Sequence, residues 1–138
     1  SGIGGSSGAL FGTLFMTLAK GKNIDSGVDF NKSVEIFYDA VQAVKMRGKA
    51  DIGEKTMMDV LIPVANTLKE LNQKEESMET ILNKVIEVAR EGMLSTKELI
   101  ATKGRASFLG ERAKGHIDPG ARSSQIMITT VCESVINS

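Results

Sequence analysis

Tryptophan is absent from this chain of 138 residues, tyrosine occurs once, at Tyr38, and all aromatics together make up 4% of it. A core built from this sequence must be filled by aliphatic side chains and by the seven methionines, whose unbranched thioethers adapt to irregular gaps. One cysteine, Cys132, excludes an internal disulfide and leaves no cysteine cluster for zinc or iron–sulfur chemistry. Its neighbours Val131 and Ile136 mark it as a small buried apolar residue rather than a nucleophile. No apolar run reaches the roughly 18 residues of a membrane span, and no basic-then-apolar leader is present. A soluble protein of a reducing, cytoplasmic compartment with no membrane partner is the expectation. An excess of one charge is also missing: Lys plus Arg and Asp plus Glu stand at 17 each, which argues against a general nucleic-acid partner. Any anion site must therefore be local.

The length suits one domain, and a hydrophobic content of 41% suffices for a single core. The chain starts at Ser1 in a glycine-serine tract, SGIGGSSG, that leads without a break into an apolar stretch, so an incomplete chain is expected.

Apolar residues recur at helical spacing throughout. From about Ser7 to Lys20, Ala9, Leu10, Phe11, Leu14, Phe15, Met16, Leu18 and Ala19 run nearly all the way round, which predicts a central, well-buried helix. Gly8 and Gly12 would let another backbone come close to it, and Gly21 would end it. A second helix, about Phe30 to Arg47, places Val34, Phe37, Tyr38, Val41 and Val44 on one face and stops at Gly48. A third, about Lys55 to Leu71, carries Met57, Val60, Leu61, Val64, Leu68 and Leu71, with a kink expected at Pro63. The fourth, about Ser77 to Thr102, has Ser77 as N-cap and repeats Met78, Ile81, Leu82, Val85, Ala89 and Met93. A fifth follows Pro119 through Ile126, Met127, Val131 and Val135. No stretch alternates with period two for long enough to propose a sheet. Sequential amphipathic helices with mostly short connections imply an all-α domain of antiparallel neighbours.

One stretch cannot serve a bundle core. In ATKGRASFLGERAKGHIDPGARS, Ala101 to Ser123, the glycines Gly104, Gly110, Gly115 and Gly120 alternate with Lys103, Arg105, Arg112, Lys114 and His116. Glycine lets the backbone approach a ligand, and guanidinium groups grip anionic oxygens two at a time, so the composition fits a phosphate-handling loop as well as a solvated connection. Asp118 and Pro119 also fit the N-cap and first position of the last helix. Two other segments sit at helix ends. GGSSGALFGTLF, Gly4 to Phe15, offers unpaired amides at a helix start, suited to phosphate oxygens, but it is neither a Walker A motif nor a dinucleotide fingerprint. MRGKADIGEKTMMDVLIPV, Met46 to Val64, reads as a tight loop in which Lys49, Asp51, Glu54 and Lys55 are solvated and Thr56 caps the next helix; two ordinary helix ends would look the same.

These three segments, in this order, resemble the nucleotide-binding (L) subunits of dihydroxyacetone kinases, the type linked to the sugar phosphotransferase system. The resemblance implies an antiparallel helical barrel of about eight helices, of which about five are present here. Residues 1–138 would then be the C-terminal two thirds of one domain. It further implies nucleotide contacts at Ser6, Ser7, Gly48, Met57, Arg105, Asp118, Pro119 and Gly120, with Met57 toward the base, Asp118 to Gly120 toward sugar or base, and Arg105 on the phosphates as the catalytic cation. Glu54 stands where the family commonly has Asp. The implied cofactors are ADP or ATP with Mg2+. The family's acidic G-D-x-D-H-G-type motif is not in this chain, and Asp25, Asp29, Asp51 and Asp59 do not form it, so the magnesium ligands are expected upstream. The implied reaction is phosphoryl transfer to dihydroxyacetone, from a phosphohistidine donor protein through tightly held ADP, or from ATP. The implied partners are the donor protein and a dihydroxyacetone-binding subunit. His116 is not expected to carry phosphate, because the family's phosphohistidine lies on the donor protein and its substrate-binding histidine on another subunit. A non-catalytic helical module that binds ADP or a protein is the reading from another class. The nucleotide domain of a fatty-acid kinase is a further enzyme reading, which a long C-terminal extension would favour.

Overall fold

A computed structural model describes residues 6–20, 29–48, 51–99 and 114–138. These form α1 (Ser6–Ala19), α2 (Phe30–Gly48), α3 (Met58–Gln73), α4 (Met78–Ser95), a 3-10 turn (Thr96–Glu98) and α5 (Pro119–Ile136), and no strand occurs among the described residues. Each helix packs on its successor and α5 returns to α1, so the helices close into a ring around one core. The all-α expectation holds.

Local sequence explains the helices. Ser77 sits in extended backbone and its Oγ accepts the Thr80 amide at 3.1 Å, which starts α4. Ile81, Leu82, Val85, Ala89, Gly92 and Met93 then share its buried face. In α3 the buried face is Val60, Leu61, Val64, Ala65 and Leu68, and in α2 it is Ser33, Val34, Phe37 and Val41. Phe37 receives Phe11 and Phe15 of α1 in edge-on contacts with ring centroids 6.1 and 5.7 Å apart. Burying such side chains contributes on the order of 2 kcal/mol each. Cys132 is fully buried, as expected, and burial pushes its thiol up to about 12, so it stays protonated.

Several expectations give way. α1 is not buried all round: Phe11, Phe15, Leu18 and Ala19 enter the core while Leu10 and Met16 are 49% and 48% exposed. Gly8 and Gly12 face open space. The close approach occurs instead at Gly92, where a Cβ would collide with the carbonyl oxygen of Asp59 and lie 3.2 Å from the Val60 Cα. Pro63 explains that geometry, since it has no N–H to offer the Asp59 carbonyl four residues earlier, and α4 crosses there on bare Gly92. α3 continues through Pro63 as one helix. It begins at Met58, not Lys55, because the Asp59 side chain holds residues 53–56 in a loop, and α4 ends at Ser95, not Thr102, in the 3-10 turn.

Candidate functional site

The start of α3, the end of α4 and the start of α5 meet at one end of the bundle, and the polar groups buried there hold them together. Thr56 and Asp59 form a capping arrangement: Asp59 Oδ2 accepts the Thr56 amide at 3.0 Å, and Thr56 Oγ1 accepts the Met58 amide at 3.0 Å. Asp59 Oδ1 also takes the Gly53 amide at 2.6 Å, so one carboxylate, 1% exposed, closes the loop. Gly53 turns the chain at φ +92°, and Lys55 adopts φ +60°. A left-handed conformation costs a non-glycine residue about 1–2 kcal/mol, so the surroundings must hold Lys55 there.

They do so through its amine. Lys55 is not solvated but 3% exposed, and Nζ donates to the Thr96 carbonyl at 2.5 Å and to the His116 carbonyl. The expectation of a solvated lysine fails because the His116 carbonyl lies in a connecting segment and the Thr96 carbonyl, which takes the Leu99 amide at 3.2 Å, keeps a second lone pair, so both can accept the amine. Thr96, fully buried, adds a second link: Oγ1 donates to the Met93 carbonyl at 2.8 Å and accepts the Asp118 amide at 2.9 Å. Gly115, at φ +92°, donates its amide to the Lys97 carbonyl at 2.5 Å.

Asp118 then starts α5. Its Oδ2 accepts the Ala121 amide at 2.9 Å, with Pro119 in the first turn, as the sequence predicts. Burial raises its carboxyl above the ordinary value, against the lowering effects of the Ala121 amide, the Lys55 charge and the Gly120 amide. Gly120 lies against both neighbours: a Cβ on it would be 3.2 Å from Asp118 Oδ2 and 3.5 Å from the Met57 Cβ.

Of the expected site residues, Met57, Asp118, Pro119 and Gly120 therefore converge. Met57 is only 3% exposed and belongs to the core, so it forms the floor beneath the Asp118–Gly120 turn rather than an open surface. Ser6 and Ser7 make the first turn of α1, and Gly48 is the exposed last residue of α2. Arg105 lies outside the described residues, with Lys103, Gly104, Gly110 and Arg112. His116 is exposed and contributes a carbonyl. Sequence reasoning missed Lys55, Thr96 and Asp59. The spacing of Thr56 and Asp59 is that of a capping box and could have found the last; nothing local marks the other two.

Magnesium does not fit the groups described. Among the described residues no three His, Cys, Asp or Glu side chains cluster as metal ligands. The two buried carboxylates at this end, Asp59 and Asp118, already accept backbone amides.

Comparison with known proteins adds the context. Residues 1–133 match the DAK2 domain. The chain is 39% identical over 128 residues to the PEP-dependent dihydroxyacetone kinase ADP-binding subunit DhaL of Escherichia coli, covering 93% of this chain and 61% of that protein. It is 36% identical over 137 residues to the ADP-binding subunit DhaL of PEP-dependent dihydroxyacetone kinase 1 of Listeria innocua, covering 99% of this chain and 63% of that one. A probable dihydroxyacetone kinase of Dictyostelium discoideum is 40% identical over 140 aligned positions, which take up 91% of this chain and 21% of that protein. The chain thus spans less than two thirds of the length of these relatives. No helix among the described residues is long and apolar enough to cross a membrane.

Proposed function

This chain belongs to the DAK2 domain family, and we propose that it carries part of the ADP site of a dihydroxyacetone kinase of the type named in its bacterial relatives. The observation that carries the reading is the convergence of Met57, Asp118 and Gly120, distant in sequence, on one buried, polar-linked end of the bundle. The glycine lets Met57 and the Asp118 carboxylate pack against the backbone at the start of α5, so that Met57 fixes the turn from below. In this reading the Asp118–Gly120 turn holds the sugar or base, the backbone at Ser6 and Ser7 offers amides to phosphate oxygens, and Gly48 borders the pocket. Arg105 grips the transferring phosphoryl group, where a bidentate guanidinium offsets the charge that builds up on its oxygens. The residues of this chain thus bind and orient; none of them forms a covalent bond to phosphate.

The reaction is then transfer of a phosphoryl group to dihydroxyacetone held on a partner subunit, supplied to ADP by a phosphohistidine donor protein, in the cytoplasm. The names of the bacterial relatives, ADP-binding subunits of PEP-dependent dihydroxyacetone kinases, support this reading. Titration calorimetry of ADP into the full-length protein, with and without Arg105→Glu, tests the reading. Charge reversal should weaken ADP at least tenfold, about 1.4 kcal/mol. Unchanged affinity would remove Arg105 from the site, and no ADP binding by the unsubstituted protein would end the nucleotide reading.

A further inference from the structure

Lys55 is the buried cation among the described residues, and it is not committed to a carboxylate. Its two acceptors are main-chain carbonyls 41 and 61 residues away in sequence, one closing α4 and the other two residues before the cap of α5. Met57 is two residues beyond Lys55, and Asp118 two beyond His116. The amine therefore spans the same gap that Met57 and Gly120 close by contact. The loop that presents it is fixed separately, by Asp59 on the amides of Gly53 and Thr56, and leaves Lys55 in a left-handed conformation. Strain of that kind persists where the surroundings over-determine it, which is common at ligand sites.

We infer that Lys55 is a positioning residue for the nucleotide end of the bundle: its amine latches the α3 entry loop and the end of α4 to the segment before α5, and so sets the spacing of Met57 against the Asp118–Gly120 turn. This rests on the assignment of that turn to the nucleotide. A lysine kept only for stability would be a poor choice, because a buried charge replaced by an apolar chain of similar volume is often neutral or better for stability. Two N–H donors of one amine directed at fixed carbonyls instead define one relative placement of three segments. Thr96 supports the same joint through the Asp118 amide.

Lys55→Met keeps the length and volume of the side chain and removes its donors. In the full-length protein, held well below its melting midpoint, this variant should keep its helical circular dichroism, bind ADP at least tenfold more weakly, and exchange the amide hydrogens of Asp118 and Ala121 at least tenfold faster. Thr96→Val removes the hydroxyl that accepts the Asp118 amide, so it is read at Ala121 and in ADP affinity, where it should show the same pattern more weakly, and it serves as the variant to read if Lys55→Met does not fold. Unchanged ADP affinity together with unchanged amide protection would overturn the latch. If the unsubstituted protein does not bind ADP, the nucleotide reading fails by itself, and amide exchange alone decides whether the joint exists: faster exchange supports it and unchanged exchange overturns it.

Discussion

The two ends of the α3–α4–α5 layer solve the same problem in opposite ways. At the far end, the turn between α3 and α4 is exposed from Gln73 to Ser77 and contains Glu75 at φ +57°. Its hydrogen bonds are local: the Glu75 amide reaches the Asn72 carbonyl at 3.0 Å, the Glu76 amide reaches Leu71 at 3.2 Å, and Lys74 pairs with Glu70 on the surface. A small cleft of ≈ 80 Å³ lies there, lined by Met78, Leu82, Val135 and Ile136. At the near end, Lys55 has almost the same left-handed φ, +60°, but is buried and bonded across the fold. Equal backbone strain thus has different meanings. Glu75 is a turn residue that glycine could replace, whereas Lys55 carries a side chain that three segments require.

Substitutions can break that contrast. The largest effect should come from Gly92→Ala, since its Cβ meets main chain that cannot move without parting α3 from α4. Overpacking of this kind costs about 1–3 kcal/mol, and a loss near the upper bound should appear in chemical denaturation. A midpoint equal to the unsubstituted protein would mean that the helices do not cross on Gly92.

Next comes a matched pair. Glycine relieves left-handed strain, so Glu75→Gly should be neutral to stabilising by about 0.5–1 kcal/mol once the flexibility of glycine is set against the relief. Lys55→Gly relieves the same strain yet should destabilise by about 2 kcal/mol, because the amine that bridges the buried Thr96 carbonyl and the part-buried His116 carbonyl is lost. Equal changes in the two melting curves would erase the distinction between the ends.

The smallest effect is the one that depends on pH. The Asp118 carboxyl titrates above its ordinary range in the folded state because of burial. Between the ordinary and the raised value the folded state binds more protons than the unfolded one, so this group's contribution is full below the ordinary value and is lost as pH rises through the raised one. Asn caps helices as well as Asp. Asp118→Asn should therefore gain stability relative to the parent as pH rises from the ordinary carboxylate range toward neutrality. A constant difference across that range would show that Asp118 titrates normally.

Much of the fold was legible because it is local. The buried faces of α2 to α4 follow their periodicity, and Ser77 and Asp118 cap as their residue types predict, whereas on α5 the expected Ile126 is 52% exposed and Ala121, Ile128 and Cys132 are buried instead. The misjudged features depend on partners distant in sequence. The spacing of Gly8 and Gly12 suggested a close crossing, but closeness depends on which residue faces a neighbour, and the Asp59 carbonyl, left without an N–H from Pro63 and facing Gly92, decided that. Lys55 looked solvated because it stands with Lys49, Asp51 and Glu54 in a charged connection between helices, and its two acceptors are set only by the tertiary fold. As for the candidate site, Met57, Asp118 and Gly120 came from a resemblance that the packing then brought together, while Arg105 falls outside the described residues.

Methionine supplies a direct probe, because Met57 marks the near end of the bundle and Met78 the far end. In the full-length protein labelled with 13C at the methionine methyl groups, titration with ADP should shift the Met57 resonance and leave Met78 in place. A shifted Met78 with an unmoved Met57 would put the nucleotide at the wrong end and contradict the account.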